Sequence, residues 1–160
     1  MEKERKFVID IKEFYKFKEE NSKQITALEI SQYYIPALDG TFRLRRTRHE
    51  NNSYSFIIAL KKFVSNGINE ELEVNIDSNV AYEIIAGIKN LKSLRKIRHI
   101  LPFKGCIWEI DIFQDGLDLG LAEVELFDLE QEIKQPYFIR EEVTGNYKFS
   151  NEFIANNFSN

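Results

Sequence analysis

Cys106-Ile107-Trp108-Glu109-Ile110-Asp111-Ile112-Phe113 alternates without interruption, Glu109 and Asp111 falling between Trp108, Ile110 and Ile112. Side chains two apart in a strand share a face, so carboxylates take one side of this segment and large apolar groups the other. The same period runs outward from it. Glu123 and Glu125 alternate with Ala122, Val124 and Leu126, while Lys96 and Arg98 share a face upstream. Nearer the N-terminus come Glu71 with Glu73, Arg43 with Arg45, and finally Glu2, Glu4 and Lys6, where both signs share one face.

Extending this period predicts about eight strands, near Glu2–Ile9, Ala27–Ile35, Thr41–Arg48, Ser53–Lys62, Glu70–Ile76, Leu94–Leu101, Cys106–Phe113 and Leu119–Phe127. Short polar links such as Leu38-Asp39-Gly40, Ser65-Asn66-Gly67 and Gln114-Asp115-Gly116 join most of them, which is turn chemistry between antiparallel neighbours. Asp10 with Glu13 has the spacing of a capping box opening a helix to about Lys23. Asp77 or Ser78 caps a second helix through Leu91, with Val80, Ile84, Ile85 and Ile88 as its packing stripe, and a short helix is expected over Asn151–Asn157. The fold class is α+β, mainly antiparallel β. No repeat, low-complexity tract or linker divides residues 1–160, so they read as a single domain.

Composition narrows the function. The chain has 160 residues, 43% hydrophobic and 30% charged, enough for one sizeable core and too few for two. A single cysteine, Cys106, excludes an internal disulfide, and only two histidines, His49 and His99, exclude a zinc cluster of usual spacing. The opening residues carry no signal-peptide pattern and no stretch approaches a membrane span, so the expected location is cytoplasmic, away from membranes. A net charge of −4 argues against a nucleic-acid partner. His49, His99 and Cys106 read as surface or packing residues, Trp108 as a core anchor, Lys3, Arg5 and Arg46 as solvated, and Glu109 as a residue of a cavity mouth.

Taken singly, each charged pair reads as the solvated outer face of a half-buried strand. Six strands with same-sign pairs read differently, because like charges neighbouring on a sheet repel unless a counter-charge lies between them. Clustered carboxylates suit hard divalent cations, and clustered guanidinium and ammonium groups suit phosphate oxygens. A metal-bound phosphate chain presents both signs. Eight antiparallel strands can close around such a ligand, with a polar lumen inside and apolar faces outside beneath the helices.

These residues also resemble the CYTH domains, or triphosphate tunnel metalloenzymes, whose opening Glu-x-Glu-x-Lys stands here as Glu2-Lys3-Glu4-Arg5-Lys6. The resemblance continues in order through Gln32-Tyr33-Tyr34, Arg43-Leu44-Arg45, Lys61, Glu71-Leu72-Glu73, Lys96-Ile97-Arg98, Trp108-Glu109-Ile110-Asp111, Gly120 to Leu126, and Val143-Thr144-Gly145 followed by Tyr147 to Asn151. It implies a closed eight-stranded β-barrel, a tunnel with helices packed outside. Lys6, Arg43, Arg45, Lys61, Lys96 and Arg98 would grip phosphate. Tyr147 and Lys148 lie beyond the strands, where a C-terminal segment can fold over one tunnel entrance, and are expected on the substrate side. Glu2, Glu4, Glu71, Glu73, Asp111, Glu123 and Glu125 would hold Mg2+ or Mn2+, and Glu2, Glu4, Lys6 and Lys61 form the catalytic group. Asn69, Ala59 and Lys148 depart from the pattern, where a basic residue, a threonine and an arginine are common.

The resemblance implies hydrolysis of inorganic triphosphate, or of nucleoside or thiamine triphosphates, by a monomer or homodimer. A class IV adenylyl cyclase and a non-catalytic polyphosphate- or nucleotide-binding module are the alternatives. No glycine-rich phosphate loop is present to suggest a P-loop enzyme.

Overall fold

The computed structural model describes residues 1–158. Its strands are β1 (Glu2–Ile9), β2 (Thr26–Ile35), β3 (Thr41–Arg48), β4 (Tyr54–Ser65), β5 (Ile68–Asn75), β6 (Lys92–Phe103), β7 (Cys106–Phe113), β8 (Gly120–Glu125) and β9 (Ile139–Glu142). The helices are α1 (Ile11–Glu20), α2 (Ser78–Gly87) and α3 (Asn151–Phe158), with 3₁₀ turns at Ser22–Gln24 and Tyr147–Phe149.

All strand pairs are antiparallel, in the order β5-β4-β3-β2-β6-β7-β8-β1-β9, and β5 pairs back onto β1. Eight strands thereby close into a barrel, as the alternation and the resemblance predicted. The closing seam is short: only Glu2↔Asn69 and Lys3↔Ile68 join β1 to β5. Farther along the same edge of β1 lies β9, through Phe7↔Glu142 and Ile9↔Ile139. Between them the Glu4 N–H donates to the Gly67 carbonyl and the Val143 N–H to the Lys6 carbonyl, each at 2.8 Å. From Glu70 to Asn75, β5 runs past the start of β1 with no strand on its outer edge among the described residues.

The apolar parity of most strands faces outward and packs beneath the helices, whereas Leu72 and Val74 of β5 are exposed. Phe14 and Phe17 of α1 pack on Phe7, Trp108 and Ile110, and Ala81 of α2 packs with Leu44 and Phe56. Burying such side chains is the main stabilising term, about 1.5–3 kcal/mol each. Ile154 and Ala155 of α3 join Tyr34, Leu94, Phe113 and Leu121, so α3 covers the barrel end where β7 finishes and β8 begins.

Asp10 does cap α1, accepting from the Glu13 N–H at 3.0 Å. The reciprocal half of the expected capping box is replaced, because the Asp10 N–H donates to the Phe138 carbonyl. Two helix ends differ from expectation: α1 stops at Glu20, and α2 stops at Gly87 rather than Leu91, where glycine's backbone entropy disfavours continuation. Ile84 and Ile85 of the expected stripe of α2 pack on the cluster of Leu44 and Phe56, but at the start of the stripe Ala81 is buried in place of Val80, which is exposed. A small side chain there lets the helix lie close to β3 and β4. β9 was not anticipated; its four residues carry three adjacent charges, and it owes its form to the open edge of β1.

Candidate active site

The charged parity of every barrel strand except β2 points into one cavity of about 1430 Å³. From β1 come Glu2, Glu4 and Lys6, from β3 Arg43 and Arg45, and from β4 and β5 Lys61, Glu71 and Glu73. Arg98, Glu109, Glu123 and Glu125 complete the wall from β6, β7 and β8, and Glu152 of α3 closes one end. Eight carboxylates therefore face five cations.

Strand register sets which charges meet. Lys6 pairs across the ladder with Glu123, and its Nζ lies 2.8 Å from Glu123 Oε1. Lys61 sits opposite Glu71, yet its Nζ reaches across the seam to Glu2 Oε2 at 2.8 Å and donates to Glu4 Oε1 at 3.3 Å. Arg43 Nη2 donates to Glu71 Oε1 at 2.8 Å and Arg45 Nη2 to Glu73 Oε1 at 3.2 Å. Arg98 pairs with Glu109 and lies 3.4 Å from Glu123 Oε2.

Asp111 and Lys96 share the charged parity but lie beneath the lumen wall, each 1% exposed and neither lining the cavity. Arg98 Nε donates to Asp111 Oδ1 at 2.7 Å, Arg98 Nη2 to Oδ2 at 2.8 Å, and Lys96 Nζ to Oδ2 at 2.6 Å. Lys96 Nζ also donates to Asn151 Oδ1 at 3.2 Å. In this arrangement Asp111 is the counter-ion that aims Arg98. Lys148 is exposed on the C-terminal segment and does not line the cavity, whereas its neighbour Tyr147 does.

Burial and crowding set the charge states. Burial, with Glu123 nearby, raises the Glu4 carboxyl above its usual range. Burial likewise lifts Glu71 to about 7, and a hydrogen bond with Glu73 adds to the shift. Burial opposes charge on Glu73 too, but its bond with Glu71 and the nearby Arg45 and Arg43 hold it below the usual value. Burial lowers Lys96 to about 8, with Arg98 contributing. At Glu123, burial is overcome by Lys6, Arg98 and Lys96, which keep the carboxylate ionised.

Three further residues belong to the site. Glu109 was expected at the cavity mouth and does line the lumen. Tyr34 lines it as well, its hydroxyl donating to Gln32 Oε1 at 3.0 Å; register with Arg43 is the signal that places it there. Glu152 arrives from a helix beyond the strands, where strand parity carries no information.

Among the described residues, no three acidic, histidine or cysteine side chains converge on a point as they stand. The donor set nonetheless fits a hard divalent cation and a phosphate. Glu2 Oε2 is buried without an aligned hydrogen-bond donor, the ammonium of Lys61 lying close but out of line, and Arg43 Nε is buried without an acceptor. The unfilled donor of Arg43 suits a phosphate oxygen, and a wall richer in carboxylates than in cations suits a metal.

A closed antiparallel barrel with a lumen of both signs defines a class, and this chain has the triphosphate tunnel fold. It superposes on the structure of the inorganic triphosphatase NE1496 with a TM-score of 0.62 and 22% identity, over 100% of this chain and 97% of that one. PH1819 from Pyrococcus horikoshii OT3 matches over 81% of this chain and 80% of its own, with a TM-score of 0.58 and 17% identity. A Bacillus halodurans protein provisionally assigned as an adenylate cyclase covers 80% of this chain and 81% of its own, with a TM-score of 0.55 and 16% identity. At these identities the likeness concerns fold. No family model matches the chain. In sequence, an inorganic triphosphatase of Acetivibrio thermocellus is 34% identical over 98 residues, which are 60% of this chain and 63% of that protein, so the match spans under two thirds of the relative.

Proposed function

We propose that this chain is a divalent-metal-dependent triphosphatase that cleaves a phosphoanhydride bond in inorganic triphosphate, or in a nucleoside or thiamine triphosphate. The observation that carries the reading is the lumen itself: carboxylates and cations interleaved on all but one of the barrel strands, facing one cavity. The similarity to an inorganic triphosphatase supports it. No helix among the described residues is long and apolar enough to cross a membrane, and we place the activity in the cytoplasm, in a monomer or homodimer.

Phosphoryl transfer asks mainly for positioning and charge neutralisation. Lys6, Arg43, Arg45, Lys61 and Arg98 bind the phosphate oxygens, Arg43 Nε supplying a donor that has no other partner. Glu2, Glu4, Glu71, Glu73, Glu123 and Glu125 hold Mg2+ or Mn2+, directly or through water. The metal, when bound, screens the phosphate charge and acidifies water. Lys96 and Asp111 act one layer out, holding Arg98 in its orientation, and an acidic side chain beside the phosphate chain accepts the proton of the attacking water.

Incubation of the purified protein with tripolyphosphate, thiamine triphosphate or ATP, and magnesium or manganese, tests this reading. Orthophosphate is the expected product, and Glu4→Gln is expected to slow its release at least about 100-fold. Cyclic AMP with pyrophosphate from ATP would assign a cyclase instead. Metal-independent binding of tripolyphosphate without turnover would assign a binding module.

A further inference from the structure

The two ends of the lumen differ. At the end covered by α3, Lys6 Nζ donates to the Phe149 carbonyl at 3.3 Å and Thr41 Oγ1 to Glu152 Oε2 at 2.5 Å. The opposite end, where β8 finishes and β7 begins, carries no such cover among the described residues and turns apolar. Along β7 the lumen face passes outward from Glu109 to Ile107, and along β8 from Glu125 to Phe127. Trp108 pairs with Val124, which brings Ile107 beside Glu125. Ile107 is 54% exposed and Phe127 94% exposed, and both line the lumen cavity.

A bare phosphate chain gains nothing from such a rim, because its oxygens are satisfied by the charged wall. A phosphate chain carrying a planar group would leave that group at the uncovered end, where a phenyl face can stack on it and an aliphatic side chain can cover its edge. Glu109, just inside, can accept a hydrogen bond from an exocyclic amino group through the carboxylate oxygen that does not face Arg98. We propose that Phe127 and Ile107 form a subsite for the base of a nucleoside triphosphate, favouring amino-bearing bases, with the phosphates in the lumen. This rests on reading the lumen as a triphosphate site.

The test compares dissociation constants of ATP, CTP, UTP, ribose 5-triphosphate and tripolyphosphate for the wild type, Phe127→Ser and Ile107→Ser, with turnover measured in parallel. Phe127 is so exposed that its replacement leaves the core untouched, and Ile107→Ser provides an independent variant. The expected results are ATP binding more tightly than ribose 5-triphosphate, CTP more tightly than UTP, and a ratio of ATP to tripolyphosphate affinity that falls about tenfold in Phe127→Ser. An unchanged ratio in both variants overturns the subsite while leaving the triphosphatase reading intact. An unchanged ratio together with a dimer that dissociates on sedimentation of Phe127→Ser assigns the rim to a second copy of the chain. Nucleotide binding with the expected ratios but no turnover of any triphosphate overturns the hydrolase reading and keeps the subsite; no binding of any triphosphate overturns both.

Discussion

Asp111 serves two cations at once, and the other acceptor of Lys96, Asn151 Oδ1, is neutral and cannot balance its charge. Its own burial opposes its charge, but Arg98 and Lys96 hold the carboxyl below the usual range. Removing one member of a buried ionic cluster leaves the others without compensation, typically a loss of about 3–5 kcal/mol. Asp111→Ala is expected to destabilise the fold by about that amount in urea unfolding. Asp111→Asn keeps the shape and some hydrogen bonds, so it should lose less stability while still weakening phosphate affinity through a misaimed Arg98. Strand parity finds the face on which Asp111 and Lys96 lie, since both alternate correctly with apolar neighbours. It does not report depth. A period of two assigns inside or outside, whereas distance from the lumen depends on how neighbouring strands and α3 fill the space around each side chain.

At the scale of elements, the seam between β1 and β5 depends on a turn residue. Gly67 has φ +76°, and a Cβ there would stand 2.8 Å from the Glu4 carbonyl oxygen. Gly67→Ala therefore combines a left-handed backbone with a backbone clash, and the expected loss is about 1–3 kcal/mol, measured as a lowered urea midpoint with unchanged slope. Ser65-Asn66-Gly67 was legible as a turn. Its task of presenting the Gly67 carbonyl to the Glu4 N–H was not, because that bond spans 63 positions of sequence. β9 was illegible for a related reason: its form is supplied by the partner edge and not by its own side-chain pattern.

At the scale of the whole molecule, His99 links stability to pH. Its ring lies between Phe14 of α1 and the barrel, with Nδ1 3.3 Å from the Ile110 carbonyl and Nε2 3.3 Å from Lys18 Nζ. Burial, with the Lys18 ammonium adding to it, pushes the imidazole down to about 4. Between about 4 and 6.5 the unfolded chain binds a proton that the folded chain refuses, so stability falls as pH drops through that window, by roughly 3 kcal/mol in all. Urea midpoints at pH 7, 6, 5 and 4 should show this slope, and His99→Leu should flatten it whatever its own stability. Closure of the barrel was foreseen from strand number and the family resemblance together. The order of strands was not, since alternation is identical for a strand in any position of a sheet.

Two residue pairs hold β5 to β1, and beyond them its outer edge carries no strand among the described residues. The amides along that edge should be the first in the barrel to take up deuterium, and Glu71 and Glu73 ride on this least-tethered plank. Where it swings outward, the pipe becomes a trough, open along its flank.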